Sequence, residues 1–348
     1  MSVVEKVWQK VSDWWSSESV HLSNAFYPDP AGAVLQPHQS YLRVWLSEMF
    51  LASDRDHGVD RFPAVQASVR LRFAGSDGVT FSTMVRPAVG QEGPGVRRDR
   101  PLTELLPYAG GLLDLQVGLL DVEGVNHVAL ALDVLGDFAT LLVPPLSTAL
   151  AVADKVANGI GRIDGALSAG GRRPLLVLER SLASPGGGSA AVLQAGCLVV
   201  IRATEAEVPA ASCTVVDGYL YRVIDGKLEH LTGHDYMVVR IEARAERDDW
   251  RFPEWDRLIG RSQAAQISGK VDEAKALRQE VLSKIVLSGD LTPVDRKRVG
   301  KLVKDELDAF DLGAAGGERL SSVSSLVAQR GLPDRSAAAA VTVEELLA

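Results

Sequence analysis

Two stretches of the chain alternate hydrophobic and polar residues with a period of two. In the first, the alternating residues are Gln66, Ala67, Ser68, Val69, Arg70, Leu71, Arg72 and Phe73. In the second, the apolar positions are Met237, Val239, Ile241, Ala243 and Ala245, and the polar ones are Arg240, Glu242, Arg244 and Glu246. This pattern is typical of antiparallel strands with one buried and one solvated face. We therefore expect Gln66, Ser68 and Arg70 to face solvent.

Apolar stretches bounded by turn residues predict further strands. These stretches are residues 40–51, 79–85, 112–122, 175–178 and 192–201. Residues 87–107 contain several glycines and prolines, which favour a connection. The strongest hairpin signal is Asp225-Gly226, between 219–224 and 227–231, because two-residue hairpin turns favour Asp-Gly.

The most apolar helical segments are residues 125–142 and 146–163, separated by Pro144-Pro145. The longest uncharged run, from Phe138 to Ala153, has 16 residues, whereas a helix that spans a bilayer needs about 20. We therefore expect a buried hairpin. The predicted fold class is α+β, with an antiparallel β-sandwich or mixed sheet packed on this central apolar helical hairpin and a C-terminal helical segment.

The N-terminal residues 3–15 have a clear amphipathic pattern, with Trp8, Trp14 and Trp15 on the apolar face. Three interpretations are open. The helix docks on the protein's own body, fits a partner's groove, or lies on a membrane surface, although its polar face is nearly neutral where such helices favour lysine and arginine. Trp8, Trp14 and Trp15 are the candidate partner-binding residues.

The C-terminal part is expected to be helical over residues 258–268 and 271–287. A third helix is predicted from Thr292-Pro293-Val294-Asp295, which supplies an N-cap, a proline at the first position and an acid in the first turn. It would reach about Phe310. The predicted domains are an N-terminal helix (1–18), a β-rich core with an internal boundary near 170 (36–250), a helical segment (254–312) and a flexible tail (313–348).

Composition narrows the functional classes. The 348 residues are 46% hydrophobic and 24% charged, with a formal net charge of −8. A nucleic-acid-binding protein usually carries a basic patch, and no long basic run occurs here. The two cysteines lack the paired spacing of a zinc site or a disulfide framework, and the first residues lack a signal-peptide pattern. We expect a cytoplasmic protein without nucleic acid, cofactor or membrane contact.

Candidate chemistry is confined to two polar clusters. Asp54, His57 and their neighbours form the first, in which Asp54, Asp56 and Asp60 are candidate cation ligands and Asp54 and His57 candidates for acid–base catalysis. The second contains His230, His234 and Asp235, where the two histidines have the spacing of half a metal site. Both clusters also suit polar loops, which is our expectation for each, and we expect no bound metal.

No catalytic motif with its full spacing occurs in the sequence. The leading hypothesis is therefore a non-enzymatic cytosolic interaction or scaffold protein, a subunit of a larger assembly, whose partner binds the N-terminal helix or the C-terminal tail. One alternative is a hydrolase whose site assembles around His57 or around His230 and His234 only in three dimensions. Another is a conditional membrane-active protein in which the apolar segment 112–163 leaves the core.

Overall fold

A computed structural model describes eight ranges of the chain: 24–29, 32–52, 55–56, 59–71, 79–85, 95–123, 173–184 and 191–309. For 55–56, 59–63, 79–85, 95–98, 121–123 and 173–174 the description covers the backbone alone. The chain groups into two units, residues 1–250 with 288–295 and residues 251–287 with 296–348. The described structure is a mixed α+β arrangement of several antiparallel sheets and three α-helices.

The first sheet contains six strands of the first unit. They are β1 (Asn24–Phe26), β2 (Tyr41–Phe50), β6 (Gly95–Pro101), β7 (Leu106–Pro107), β11 (Gly196–Ile201) and β15 (Tyr236–Arg244). The order is β1-β11-β15-β2-β6, with β7 also paired to β2. Strands β6 and β7 correct the prediction of a connection over 87–107, because this segment supplies neighbours for β2.

The second sheet contains six further strands of the first unit. They are β3 (Arg55–Asp56), β4 (Val59–Leu71), β5 (Val79–Val85), β8 (Leu112–Glu123), β9 (Arg173–Ala183) and β10 (Ala191–Val192). The order is β10-β9-β8-β4-β3, with β5 also paired to β4. All pairs are antiparallel except β9 with β10. The predicted strands over 79–85 and 112–122 are confirmed, whereas the helical hairpin predicted over 125–163 lies outside the described residues.

Side chains from both large sheets form one hydrophobic cluster. Strand β4 contributes every second residue from Val65 to Leu71, β8 every second residue from Leu113 to Leu119, and β2 and β15 contribute Leu42, Val44, Leu46, Met237, Val239 and Ile241. Ala67, Val69 and Leu71 of β4 and Met237, Val239 and Ile241 of β15 are apolar positions of the two alternating patterns. For these residues the patterns identified correctly which side chains share a face.

The prediction that the polar face of β4 is solvated is wrong. Ser68 is fully buried, and Gln66 and Arg70 are nearly so. The Arg70 guanidinium donates to Asp114 Oδ2 on β8 from Nε at 3.1 Å and Nη2 at 3.0 Å. Ser181 Oγ of β9 donates to the other carboxylate oxygen at 2.5 Å. Charged groups tolerate burial when they are paired in this way.

The second unit contains helices α1 (Pro253–Ile267) and α2 (Val271–Leu287) and most of α3 (Pro293–Ala309). These bounds confirm the helices predicted over 258–287 and from Thr292 onward. The apolar face buries Leu258, Ile259, Leu277, Val281, Ile285, Val299, Val303 and Leu307. Ion pairs Arg278–Asp308 and Lys284–Glu254 join α2 to α3 and to α1, and Arg251, just before α1, pairs with Glu306 of α3.

Residues 288–295 are attached to the first unit by buried hydrogen bonds. Tyr41 Oη donates to Asp295 Oδ2 at 2.7 Å and accepts from Thr292 N at 2.9 Å. Arg247 N donates to the same Asp295 oxygen at 3.1 Å, and Arg247 Nη1 donates to the carbonyl oxygen of Leu105 at 3.0 Å. Thr292 Oγ1 accepts from Asp295 N, as expected of an N-cap. Thr292 and Asp295 are thereby fixed on Tyr41 of β2.

We expect Tyr41→Phe to lower the free energy of unfolding by about 1–3 kcal/mol, because it leaves buried hydrogen-bonding groups without one partner. Urea unfolding monitored by circular dichroism measures this change. Tyr27→Phe is the matched control, since the buried Tyr27 hydroxyl makes no hydrogen bond with the part of the chain that the structure describes. Equal losses in the two variants would contradict this account of residues 288–295.

Candidate functional site

The third sheet is a small antiparallel meander within the first unit. Its strands are β12 (Cys213–Val216), β13 (Tyr219–Ile224) and β14 (Lys227–His230), in that order. Asp217-Gly218 and Asp225-Gly226 connect them, with φ angles of 51°, 83°, 50° and 76°. Positive φ at both positions is the requirement of a type I′ turn. The predicted Asp225-Gly226 hairpin is therefore confirmed.

The two faces of this sheet differ in exposure except near the Asp225-Gly226 turn, where Ile224 on the inner face is 40% exposed. Cys213 and Leu220, on the inner face, are buried in a cluster with Phe50, Val208 and Tyr236. The strand register places the following residues together on the outer face: Val216, Tyr219, Tyr221, Val223 and Leu228. We call these five residues the outer apolar face. Val216, Val223 and Leu228 are 38%, 42% and 51% exposed.

A buried carboxylate joins the third sheet to the first. Glu48 of β2 is fully buried, and its Oε2 accepts a hydrogen bond from Leu220 N at 2.8 Å. Its Oε1 lies 2.7 Å from His230 Nε2, and the Tyr236 hydroxyl lies 3.2 Å from the same nitrogen. Glu48, His230 and Tyr236 form what we call the histidine cluster.

A β-bulge explains why Glu48 points toward the third sheet. Leu46 lies opposite Val239 in the register of β2 with β15, and Glu48 lies opposite Val238, so Ser47 is an extra residue between them. In a regular strand Glu48 would share the face of Leu46. The bulge reverses the alternation, so that Glu48 and Phe50 lie on the same side of β2.

Aromatic rings surround the imidazole of His230. Tyr219, Tyr221 and Phe50 make edge-to-face contacts with it, at centroid distances of 5.9, 5.8 and 5.9 Å. Phe50 in turn stacks on Tyr236 at 5.2 Å. The His230 side chain nevertheless keeps 33% of its surface exposed. Its ring therefore connects the buried carboxylate with the outer apolar face.

The electrostatics of the cluster follow from burial. Loss of water raises the pKa of Glu48 above its ordinary value, against the opposing effects of the Leu220 and His230 hydrogen bonds. Burial and the neighbouring Glu48 carboxylate raise the pKa of Tyr236. Tyr236 therefore stays neutral and acts as a hydrogen-bonding group at physiological pH.

The structure places the candidate residues of the second polar cluster in different roles. His230 lies in the histidine cluster. Asp235 accepts a hydrogen bond from Ala52 N at 2.9 Å and pairs with Arg202 at 3.3 Å, which are structural contacts. His234 faces another loop, where it adds to the Thr204 hydrogen bonds that lower the pKa of Glu207. Glu48 and Tyr236, which complete the cluster, were not predicted.

The other candidate residues are described by their backbone alone or lie outside the described residues. Asp56 and Asp60 lie in the β3–β4 hairpin, opposite Val59 and Arg55, and only their backbone is described. The remaining candidates lie outside the described residues: Asp54, His57, Trp8, Trp14 and Trp15. Within the described ranges, no group of three or more histidine, cysteine, aspartate or glutamate side chains is arranged to hold a metal ion.

Both cysteines are free thiols. Burial raises the pKa of Cys197 to about 11 and also raises the pKa of Cys213. A thiol with a raised pKa carries little thiolate at neutral pH. Neither cysteine is therefore suited to act as a nucleophile.

Comparisons of this chain with protein-family models, curated proteins and solved structures found no match. None of the helices in the described ranges is long and apolar enough to cross a membrane.

We expect Glu48→Gln to change how stability depends on pH. Because the folded-state pKa of Glu48 is raised, the carboxyl's contribution to stability is fully present below its ordinary pKa of 4.5 and is lost as pH rises through the raised value. The free energy of unfolding of Glu48→Gln, relative to wild type, should therefore rise as pH increases from about 4 toward neutrality.

Urea unfolding at several pH values measures this difference. Glu280→Gln, at an exposed position of α2, controls for removal of a carboxyl group. If the stability of Glu48→Gln relative to wild type falls over this pH range, the pKa of Glu48 is not raised in the folded protein.

Proposed function

We propose that this chain is a cytosolic protein–protein interaction or scaffold protein, a subunit of a larger assembly, and that the outer apolar face is its association surface. The observation that supports this is the exposure of Val223 and Leu228 at directly opposite positions of β13 and β14, on a face that Tyr221, Tyr219 and Val216 continue toward β12. Single exposed apolar residues are normal on protein surfaces, whereas contiguous ones mark binding surfaces.

Side-chain contacts at both ends of the meander fix this face in place. On one side, Asp29 accepts hydrogen bonds from Thr214 Oγ1 at 2.6 Å and from Val215 N at 3.1 Å. On the other, Glu48 holds Leu220 N and His230. A surface that is ordered before binding loses less conformational entropy on association. The ordered meander is therefore better suited to bind a partner than a mobile loop would be.

The chemistry of the outer apolar face also suits association. Tyr219 and Tyr221 pack against each other edge to face at 6.5 Å and lie beside the aliphatic residues. Tyrosine is enriched at interfaces because its ring buries a large apolar area while its hydroxyl stays hydrated. Charged residues of β14, Lys227 and Glu229, lie on the opposite face of the strand. The outer apolar face therefore contains none of the charged residues of β14.

We also propose the finer architecture that the sequence predicts, with the two large sheets packed face to face as a sandwich on a helical hairpin over 125–163. The cluster of buried side chains shared by β2, β4, β8 and β15 supports the sandwich. The two free cysteines support a reducing compartment such as the cytosol.

A second candidate function is hydrolysis with His230 as general base. A buried carboxylate on Nε2 orients the ring as in catalytic dyads, and Nδ1 makes no hydrogen bond with the described residues. His230→Gln should then abolish turnover of chromogenic esters, with His234→Gln as the control. Activity that survives His230→Gln would exclude this role.

We expect Val223→Asp to abolish association with partner proteins, because a carboxylate at the centre of an apolar interface is left without a partner on burial. Quantitative affinity capture, followed by mass spectrometry, compares wild type with this variant. Val271→Asp is the matched control, since Val271 is 46% exposed on the second unit, at the start of α2, where an acid is tolerated. Partner recovery that is the same in Val223→Asp and wild type would overturn the proposal.

A further inference from the structure

Strand β14 has one open edge. It pairs with β13, and no other strand in the described ranges lies on its far side. The outer edge of β12, by contrast, is occupied by Asp29, which accepts from Val215 N. Unpaired edges invite the addition of another strand. The open edge of β14 borders the outer apolar face at Leu228.

The register of the hairpin fixes which backbone groups point outward from this edge. Ile224 and Lys227 flank a two-residue turn, so they form a hydrogen-bonded pair, and such pairs alternate along an antiparallel ladder. Lys227 and Glu229 therefore direct their N–H and C=O groups toward β13. Leu228 and His230 direct theirs away from it. An incoming strand must pair with these two residues.

We propose that a second copy of this chain adds to the edge of β14 as an antiparallel strand, related by a two-fold axis at Leu228. This inference rests on the proposed function, because it names a partner for the same surface. In this register Leu228 of each copy exchanges both backbone hydrogen bonds with Leu228 of the other. Lys227 of one copy lies directly opposite Glu229 of the other, and Glu229 opposite Lys227.

Charge complementarity selects this register over its neighbours. A two-fold axis at Lys227 would place lysine against lysine, and an axis at Glu229 would place glutamate against glutamate. An axis at His230 would leave the Lys227 and Glu229 side chains without opposite charges. Opposite charges stabilise directly facing positions and like charges destabilise them. The Leu228 register is therefore the one that satisfies both the backbone geometry and the charges.

Charged residues on an edge strand commonly prevent pairing. Here both flanking charges are exposed and of opposite sign on either side of an exposed leucine. They disfavour pairing with an arbitrary strand and with shifted copies, and they favour self-pairing centred on Leu228. The resulting sheet has six strands, and the outer apolar faces of the two copies become continuous beside Leu228.

Sedimentation velocity of the full chain over a concentration series tests the proposal. Four residues per strand form a small interface, so we expect a weak, concentration-dependent dimer. Lys227→Glu and Glu229→Lys should each weaken dimerisation about tenfold or more, because both facing pairs become like-charged. Combining both changes in one chain restores opposite pairs and should restore the dimer. Lys301→Glu, at an exposed position of α3, is the control.

A mixture of the two single variants tests directly whether Lys227 and Glu229 of different copies face each other. A chain with Lys227→Glu carries two acids at these positions and a chain with Glu229→Lys two lysines, so the mixture should form a heterodimer although each variant alone is a monomer. If the wild-type chain is monomeric at every concentration, a second copy does not bind the edge of β14. If both single variants dimerise as strongly as wild type, the dimer does not form through Lys227 and Glu229.

The outcomes separate this inference from the proposed function. If wild type is monomeric but Val223→Asp loses other proteins that wild type captures, the outer apolar face binds a different partner and the second-copy inference fails alone. If the charge-swap series behaves as expected but Val223→Asp loses no other protein, the surface serves self-association, and a wider interaction function fails.

Discussion

The buried carboxylate of Glu48 is the interaction on which the candidate site depends. A carboxylate without water needs hydrogen-bond donors, and an unpaired one costs far more than a neutral group. Leu220 N and the His230 imidazole meet this requirement from the third sheet. These two contacts attach β13 and the end of β14 to β2, together with the buried cluster around Phe50 and Leu220. Val223 and Leu228 lie further along the same strands, beside the Asp225-Gly226 turn, where they stay exposed.

Local pattern predicted much of the secondary structure of the first unit. Alternation identified β4 and β15, and Asp225-Gly226 identified the β13–β14 hairpin, because these signals lie within one strand or turn. The exposure of Gln66, Ser68 and Arg70 was predicted wrongly. Alternation shows which residues share a face but not what covers it, and the partner of Arg70, Asp114, is 44 residues away.

The candidate site was predicted in part. His230 was identified from its spacing to His234, yet the structure joins it to Glu48, 182 residues earlier in the chain. One signal could have identified Glu48, since it is the single carboxylate in the otherwise largely apolar strand Tyr41–Phe50. Its direction could not have been predicted, because a bulge at Ser47 turns it to the opposite face from the one that simple alternation implies.

Amide hydrogen exchange in a Glu48→Ala variant tests most directly whether this carboxylate attaches the third sheet. Local opening exposes the amides of the element that detaches and leaves the others protected. The amides of Leu220 and Leu231 should exchange about tenfold faster or more than in wild type, while those of Val238 and Val239 on β15 keep their protection. Unchanged exchange at Leu220, or an equal increase throughout the first unit, would contradict the account.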